Sequence, residues 1–280
     1  MKKVTTNQFQ KIIFDWYKKN GRHDLPWRKT KNPYHILVSE IMLQQTQIPR
    51  VLSKYTEWIE QFPAIESLAN ASQKQVLSLW QGLGYNRRAL FLQRAVQIIH
   101  KKYGGKFPKQ VSDMEKLPGI GPYTAGAVAV FSQNQPHVLL ETNIRRVILH
   151  FFFSGKEKVA DSEIISVLRR VSYFQDPRKW YWALMDYGAG PLKKIINPNR
   201  RSTQYRTQSR FEGSSRFVRA KIVSFLLRQK SGAVSTVIIE EIESNPQAGR
   251  FGKQEEIVKI LSSLEQEGFI VRKGQKWFIK

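Results

Sequence analysis

The stretch from Leu117 to Ala127 reads LPGIGPYTAGA, and it decides the fold of this 280-residue chain. Its first two glycines, two positions apart, allow a tight turn in which no side chain blocks the backbone. Ala125 to Val130 is typical of a helix start, and Val111 to Leu117 has the spacing of a short helix. The sequence therefore predicts a helix–hairpin–helix. The unpaired N–H groups that open its second helix suit a phosphate oxygen, although a tight turn between two core helices has the same pattern.

The composition limits the classes of partner and cofactor. Lysine and arginine number 46 against 22 aspartates and glutamates, which gives a net charge of +24 and a pI near 10.2. A surplus of that size indicates an anionic partner, nucleic acid before an anionic membrane. The chain has no cysteine, which excludes a thiolate nucleophile, a zinc–thiolate site and a cysteine-ligated iron–sulfur cluster. We therefore expect no cofactor and no metal.

Hydrophobic patterning bears on location. No apolar run approaches membrane-spanning length, and the first eight residues lack the apolar core of a signal peptide. We expect a soluble, intracellular protein of the cytoplasm, associated with the nucleoid, that works as a monomer.

Helical periodicity dominates the first 190 residues. Phe9 to Lys19 has apolar residues at helical spacing, and a further helix is expected over Tyr34 to Leu52, opened by Pro33. Glu40 falls within the apolar stripe of this second helix. A carboxyl group in such a position resists ionisation and keeps its proton near neutral pH, whereas a glutamate at the edge of the stripe would ionise normally.

A second acid, Glu141, ends an apolar run. Another helix is predicted after it, with Thr142 or Asn143 as the N-cap. Glu141 then lies near a helix N-terminus, where the helix dipole favours a negative charge. In the same helix, Arg145 and Arg146 either meet phosphates or are solvated.

The chain changes character after Gly190. Residues 191–230 contain eleven lysines and arginines against one acid, and we predict a basic linker over 191–215 that is either solvated or in contact with phosphates. Three helices and a terminal β-hairpin around Lys273-Gly274 predict a winged-helix-like domain over 216–280, a type of domain that binds DNA or protein. The predicted fold class is mainly α, with an all-α domain over 1–190 and a small α+β domain at the end.

Six separated motifs resemble those of the MutY-type adenine DNA glycosylases of the helix-hairpin-helix superfamily. In chain order they read LPWR from Leu25, SEIMLQQT from Ser39, GLGY from Gly82, LPGIGPYT from Leu117, ETNIRRV from Glu141 and ALMDYGA from Ala183. The resemblance covers roughly residues 7–190. It implies two all-α lobes with a DNA cleft between them. It also implies, as partner, double-stranded DNA with a mispaired or damaged base that is turned out of the duplex.

The resemblance implies roles for individual residues. Glu40 matches the catalytic acid that protonates the leaving purine, and Glu141 stands where the family has the aspartate that stabilises an oxocarbenium-like sugar. Tyr123 and Asn143 match residues that support these acids. Further motif positions are expected at the DNA or the base, namely Trp27 and Arg28 in the base pocket, Leu43, Gln44, Gln45 and Thr46 beside the target pair, Tyr85 on the lesion-facing wall, and Leu117, Gly119, Ile120, Gly121, Thr124 and Arg145 along the strand.

The chain departs from the family pattern at several points. Glu141 is one methylene longer than the family aspartate, a change that can degrade a reactive geometry. The four cysteines that usually hold an iron–sulfur cluster are absent, and the basic tract stands in their place. A winged-helix-like segment stands where MutY has a Nudix-like domain that senses 8-oxoguanine. Tyr123, by contrast, matches the family, and it stands where bifunctional glycosylase/lyases carry a Schiff-base lysine, which favours base excision without strand cleavage.

Three functions fit the sequence. The leading hypothesis is a monofunctional glycosylase that removes adenine opposite 8-oxoguanine or guanine by hydrolysis. A mismatch thymine or uracil glycosylase could use the same scaffold, but it would not need the acid at Glu40. A non-catalytic DNA-binding protein would use the hairpin and the winged helix, with Glu141 marking a decayed site.

Overall fold

The computed structural model describes residues 4–207 and 210–280, and in these ranges the chain is mainly helical, as predicted. Its α-helices are α1 (Thr6–Asn20), α2 (Pro33–Leu43), α3 (Ile48–Gln61), α4 (Ile65–Ala69), α5 (Gln73–Leu79), α6 (Arg87–Tyr103), α7 (Val111–Met114), α8 (Pro122–Gln133), α9 (Thr142–Phe152), α10 (Asp161–Val171), α11 (Pro177–Ala189), α12 (Ser215–Arg228), α13 (Ser235–Glu243) and α14 (Gln254–Gln266). Three strands follow residue 230, β1 (Ala233–Val234), β2 (Ile270–Lys273) and β3 (Lys276–Ile279). Short 3-10 helices lie at Pro26–Arg28, Pro191–Lys194, Pro198–Arg201 and Pro246–Gly252.

Within the described ranges, no helix combines the length and the apolar character that a membrane crossing requires.

The chain divides into two compact units. Unit 1 consists of Met1–Ile41 and Phe107–Thr207, and unit 2 consists of Met42–Lys106 and Gln208–Lys280. The chain therefore enters each unit twice. The domain boundaries predicted after residues 190 and 215 stay predictions.

The core of unit 1 is built from amphipathic helices. Thr5 caps α1 through a capping box with Gln8, and the fully buried Phe9 in this helix meets three aromatic rings edge-on at 5.0–5.7 Å, those of Phe151, Phe152 and Trp180. Every residue of α8 from Thr124 to Ser132 is buried. The helix after the hairpin is thus the central helix of unit 1, which explains its uninterrupted small and apolar sequence.

The basic tract that belongs to unit 1 is folded onto α9. Asn199 donates to the Thr142 carbonyl oxygen at 3.0 Å, at the start of the helix. Arg201 donates to the carbonyl oxygens of Leu149, at 2.9 Å, and Phe153, at the end of the helix. These side chains satisfy backbone carbonyls at both ends of α9. Residues 191–207 are therefore part of a packed unit.

Unit 2 has a helical core and a small sheet. Trp58 and Trp80 pack edge-on in the core with ring centroids 5.4 Å apart. The predicted terminal hairpin is present as the antiparallel pair β2 and β3, turned at Gly274 with φ of 61°. β1 adds a third strand beside β3, which the sequence analysis did not predict.

One predicted helix is divided in two. The helix expected over 34–52 ends at Leu43, and α3 begins at Ile48. Gln45 between them has φ of 55°, a left-handed conformation that no helix continues through. Pro49 then stands in the first turn of α3, where proline is tolerated because its missing N–H has no partner there.

Candidate active site

Glu40 lies on the core-facing side of α2. Its neighbours Ile36, Leu37 and Ile41 are 1%, 0% and 4% exposed, whereas Glu40 itself keeps part of its surface accessible. Burial raises the pKa of the Glu40 carboxyl to about 7, with a smaller raising effect from the Glu141 charge. A hydrogen bond with Tyr123 and the charge of Arg28 act in the opposite direction. Much of the Glu40 population is therefore protonated at neutral pH.

Tyr123 stands in the first turn of α8, directly after the hairpin. Burial, the charges of Glu40 and Glu141, and its hydrogen bond with Glu40 raise the pKa of Tyr123 well above its ordinary value. The Tyr123 phenol therefore stays protonated and serves as a hydrogen-bonding group beside the two acids.

Glu141 is itself the N-cap of α9, so the prediction of Thr142 or Asn143 as the cap is wrong. Its Oε1 accepts from the backbone N–H groups of Asn143 and Ile144, both at 2.8 Å. Burial raises the pKa of Glu141, against these two hydrogen bonds and the charges of Arg145 and Arg146. The carboxylate is thus fixed at a helix N-terminus, where a negative charge is favoured.

A series of hydrogen-bonded side chains, Asn143 and then Arg146, orients Glu141. Asn143 Nδ2 donates to Glu141 Oε2 at 3.2 Å, and Asn143 Oδ1 accepts from Arg146 Nη1 at 3.3 Å. Arg146 also donates to the Gly188 carbonyl oxygen at 2.7 Å and to Asn197 Oδ1 at 3.3 Å. Arg146 was expected either to meet phosphates or to be solvated, whereas here it bonds Asn143 and Gly188. The spacing of one helical turn between Asn143 and Arg146 could have indicated their contact.

Glycine at position 188 is required by a close approach. A Cβ built on Gly188 would lie 2.4 Å from the Asn143 carbonyl oxygen, well inside van der Waals contact. Only a residue without a side chain lets α11 pack this closely against the start of α9. Gly188 therefore helps to set the position of the Glu141 cap.

The two acids have different environments, and both interact with Tyr123. The charges of Glu40 and Glu141 raise the pKa of the Tyr123 phenol, and the charge of Glu141 also raises the pKa of Glu40. Glu141 accepts hydrogen bonds from backbone N–H groups, as an anion does, while Glu40 lies among apolar side chains and is held near half-protonation at neutral pH. All three side chains keep some accessible surface. Such a pair can supply a proton from one carboxyl and a negative charge from the other.

Arg28 and Trp27 occupy structured positions in unit 1. Both terminal nitrogens of Arg28 bond the carboxylate of Asp186 at 2.8 Å, and the side chains are 5% and 1% exposed. Burial opposes ionisation of Asp186, but Arg28 and Arg22 more than offset it and hold its pKa below the usual value. Trp27 is 6% exposed. Asp186 therefore holds the Arg28 guanidinium in place, and the positive charge of Arg28 lowers the pKa of Glu40. No role was predicted for Asp186 from the sequence.

The hairpin exposes backbone and buries side chains. Leu117 and Ile120 are 4% and 5% exposed, and the Ile120 N–H donates to the Leu117 carbonyl at 3.2 Å. Gly119 has φ of 74°, which glycine adopts without strain. Gly121 is the exposed N-cap of α8 and provides no side-chain cap, while Thr124 is buried. The part of this turn that is accessible to a ligand is therefore the backbone at the N-terminus of α8.

Arg145 forms an ion pair within unit 1. Its Nε and Nη2 bond the two Asp161 carboxylate oxygens at 3.1 and 2.7 Å. A phosphate at Arg145 would share the guanidinium with Asp161.

In unit 2, the remaining predicted residues lie on two loops that one arginine joins. Gln45 and Tyr85 are exposed and both have positive φ, 55° and 49°. Arg88 in α6 donates to five acceptors. One is the carbonyl oxygen of Met42 in the last turn of α2 (3.0 Å), and the other four lie on these loops, namely the carbonyl oxygens of Gln44 (2.6 Å), Leu83 (2.9 Å) and Gly84 (2.9 Å) and the hydroxyl of Thr46 (3.1 Å). Arg88 also stacks on the rings of Trp80 and Tyr85. Leu43, Gln44 and Thr46 are partly exposed. We call these two segments, 43–46 and 82–85, the Arg88 loops.

The residues present do not fit an iron–sulfur cluster. Such clusters are held by cysteine thiolates, and this chain has no cysteine. Among residues 4–207 and 210–280, no group of three or more histidine, aspartate or glutamate side chains could hold a metal ion.

The fold and the site resemble those of one class of protein. Residues 38–170, which include Glu40, the hairpin and Glu141, match the family model of the HhH-GPD superfamily base excision DNA repair protein. The match covers just under half of the chain, and this part of the chain is similar to that family.

Curated relatives narrow the resemblance further. The chain is 39% identical over 189 residues to the adenine DNA glycosylase of Buchnera aphidicola subsp. Acyrthosiphon pisum, which covers 66% of this chain and 54% of the relative. It is 36% identical over 181 residues to the adenine DNA glycosylase of Mycobacterium tuberculosis, with 63% and 59% covered. The chain thus spans about half the length of the curated relatives it matches.

The fold also resembles a solved glycosylase structure. A thermostable thymine-DNA glycosylase superposes with a TM-score of 0.60 at 22% identity, over 70% of this chain and 93% of that one. At this identity the likeness confirms the predicted helix-hairpin-helix glycosylase fold and no more.

Proposed function

We propose that this chain is a DNA glycosylase of base excision repair that removes adenine mispaired with 8-oxoguanine or guanine. The observation that carries the proposal is that Glu40, Tyr123 and Glu141, from three separate parts of the sequence, interact within unit 1. The relatives named above, both adenine DNA glycosylases, support the choice of adenine. The net charge of +24 supports double-stranded DNA as the partner. The chain acts as a monomer associated with the nucleoid.

The chemistry assigns the two acids different steps. Glu40 donates its proton to a ring nitrogen of the leaving adenine, and the bond between that base and C1′ breaks. The electron pair leaves with the base, so positive charge develops on the sugar, where the Glu141 carboxylate stabilises it. Water then adds at C1′, and its proton passes to the Glu40 carboxylate, which restores the acid. Tyr123 and Asn143 hold the two carboxyl groups in place.

The reaction ends at the abasic site. Strand cleavage by a glycosylase/lyase needs an amine that forms a Schiff base with the sugar. Position 123 offers a phenol whose raised pKa keeps it protonated. The chain therefore acts as a monofunctional glycosylase.

The DNA backbone meets the hairpin and the basic tract. The opening of α8 at Gly121 presents backbone N–H groups without a side-chain cap, an arrangement that suits a phosphate. Lys193 and Lys194 are exposed in the tract and add positive charge. In unit 2 the Arg88 loops, which include Tyr85, bind DNA, and in unit 1 Trp27 and Arg28 contribute to the base pocket.

A panel of duplexes tests this function. Strands with A:8-oxoG, A:G, T:G, U:G and hypoxanthine-containing pairs are incubated with the protein and scored for breaks before and after alkali. We expect breaks opposite 8-oxoguanine and guanine after alkali treatment alone, and none with the Glu40→Gln protein. Excision of thymine or uracil with no loss of adenine would overturn the proposal, as would binding of duplex without any abasic product.

A further inference from the structure

Two lysines lie directly opposite each other in the hairpin of β2 and β3, which we call the C-terminal hairpin (270–279). Lys273 ends β2 and Lys276 begins β3, and the antiparallel register pairs them. Residues paired in this way point to the same face of the sheet, with Cβ atoms about 5 Å apart. Both lysines are exposed, and Lys273 lies 5.8 Å over the ring of Phe278. The hairpin therefore presents two adjacent positive charges to solvent.

No carboxylate neutralises these two lysines. Among residues 4–207 and 210–280, the ion pairs include neither of them. The glutamates nearest in sequence bind elsewhere. Glu265 accepts a hydrogen bond from the backbone N–H of Arg272 at 3.2 Å. Glu267 forms ion pairs with Arg87, at 2.7 Å, and Arg219, at 2.6 Å. Because like charges directly opposite each other destabilise a strand pair, anions that bind beside the two ammonium groups would stabilise the hairpin.

The helix that precedes the hairpin has the opposite charge. α14 has three glutamates and one lysine, and α13 has three glutamates and no basic residue. In helix-turn-helix domains a recognition helix enters the major groove between phosphate backbones. α14 is the last helix of the C-terminal segment, and its glutamates would be repelled by phosphates. Of these two elements, the hairpin is thus the one whose charge suits DNA.

We propose that the C-terminal segment binds duplex DNA through the C-terminal hairpin and not through α14, with Lys273 and Lys276 on backbone phosphates. This inference rests on the function proposed above for the choice of duplex DNA as the partner. Contacts to phosphates position a protein on the duplex and carry no sequence information. The hairpin therefore adds affinity for any duplex and does not select a base pair.

The salt dependence of binding tests the proposal. The affinity of the full chain for a duplex without a mispair is measured from about 50 to 200 mM salt. We expect Lys273→Gln and Lys276→Gln each to reduce the magnitude of the slope of log affinity against log salt concentration by about 1. Lys259→Gln is the matched control, because Lys259 is an exposed lysine of α14 that pairs with Glu256 at 2.7 Å. It removes the same charge and should leave the slope unchanged.

Thermal midpoints exclude unfolding as the cause of a changed slope. Without DNA, Lys273→Gln and Lys276→Gln remove the repulsion between the two lysines, so neither substitution should lower the midpoint.

Thiol labelling locates the contact without relying on charge. The chain has no cysteine, so Lys276→Cys and Lys259→Cys each introduce a single thiol. With saturating duplex, Lys276→Cys should lose its reaction with maleimide, and Lys259→Cys should keep it.

The outcomes separate this proposal from the proposed function. If the wild-type chain binds duplex but Lys276→Cys stays reactive, or if the slopes of the hairpin variants and of Lys259→Gln change equally, the hairpin does not bind DNA and the proposed function stands. Protection of Lys259→Cys alone would assign the contact to α14. A wild-type chain that binds no duplex would overturn both proposals.

Discussion

At the scale of single residues, Glu40 predicts a pH profile. Its pKa of about 7 places the proton-donating form below that pH. We expect the excision rate at saturating enzyme to fall tenfold per pH unit well above pH 7, because the acid loses its proton. Glu40→Gln should lose 10²–10⁴-fold in rate at pH 7, as is typical for loss of a general acid, with duplex affinity unchanged. A rate that stays flat from pH 6 to 9 would show that Glu40 is not the acid.

The same residue predicts a stability difference with a definite sign. A folded-state pKa above the ordinary value of 4.5 means that the native state binds more protons than the unfolded state between pH 4.5 and 7. Ionised Glu40 therefore destabilises the fold as the pH rises through this window. Glu40→Gln carries no such charge, so its unfolding free energy relative to wild type should rise from pH 4.5 to 7. Urea melts at both pH values measure this, and a constant difference would contradict it.

Substitutions of Glu141 distinguish its role as the N-cap of α9 from its proposed role in catalysis. Aspartate is a strong N-cap, so Glu141→Asp should keep the stability of α9 while it moves the carboxylate by about one methylene. We expect excision to fall about tenfold, because Asn143 and Arg146 are arranged around the longer side chain. Glu141→Gln keeps the acceptor oxygen but loses the charge, and should be slower still. If Glu141→Asp were as fast as wild type, the site would not be built around glutamate.

The sequence predicted the surroundings of some of these residues and not of others, because only some depend on local patterns. The apolar surroundings of Glu40 follow from spacing within one helix, a local pattern. The capping by Glu141 does not, because glutamate is not among the preferred N-caps and its side chain must curl back to reach two N–H groups. The links from Arg28 to Asp186 and from Arg146 to Gly188 join residues far apart in the chain, and no local pattern contains them.

At the scale of secondary-structure elements, Arg88 connects the two Arg88 loops. A lysine has three donors and no planar fork, so Arg88→Lys leaves at least two of the five acceptors without their partner. We expect a loss of about 2 kcal/mol in unfolding free energy and weaker binding of mispaired duplex, since Gln45 and Tyr85 are held in strained backbone conformations.

Arg87→Lys is the matched control for Arg88. Arg87 is the preceding residue of α6, and its guanidinium pairs with Glu267 alone among the described contacts. A lysine can keep that pair, so stability should change little. If both substitutions had the same effect on melting and affinity, Arg88 would not be the group that positions the loops.

Element boundaries show where sequence patterns fail. The hairpin helices and the terminal β-hairpin were predictable because glycine, proline and apolar spacing mark them locally. The break after Leu43 was missed, because the apolar residues continue at helical spacing on both sides of it. A left-handed Gln45 is set by contacts of its loop with Arg88, not by glycine or proline.

At the scale of the whole molecule, the net charge predicts salt dependence. Each phosphate neutralised contributes about −0.9 to the slope of log affinity against log salt concentration. Lys193→Ala should reduce the magnitude of that slope by about 1 if this lysine meets a phosphate. Lys11→Ala is the control, because Lys11 is paired with Asp15 in α1 at 2.9 Å. Equal slopes for the two variants would show that the basic tract does not contact the DNA phosphates.

The sequence did not predict which segments of the chain form each of the two units. Charge and helix content follow from counting residues and from spacing, and both were predicted. The grouping of residues 42–106 with the C-terminal segment was not, because it depends on contacts such as those of Glu267 and Gln73 between distant parts of the chain.

Gly188 has no functional group, yet its replacement should resemble the loss of a catalytic residue. An alanine methyl at this position would collide with the Asn143 carbonyl, so α11 or the start of α9 must shift. A shift of about 1 Å at a reacting group can cost about a hundredfold in rate. A saturation screen scored by abasic-site formation should therefore rank position 188 beside the two acids, while duplex affinity stays near that of the wild type.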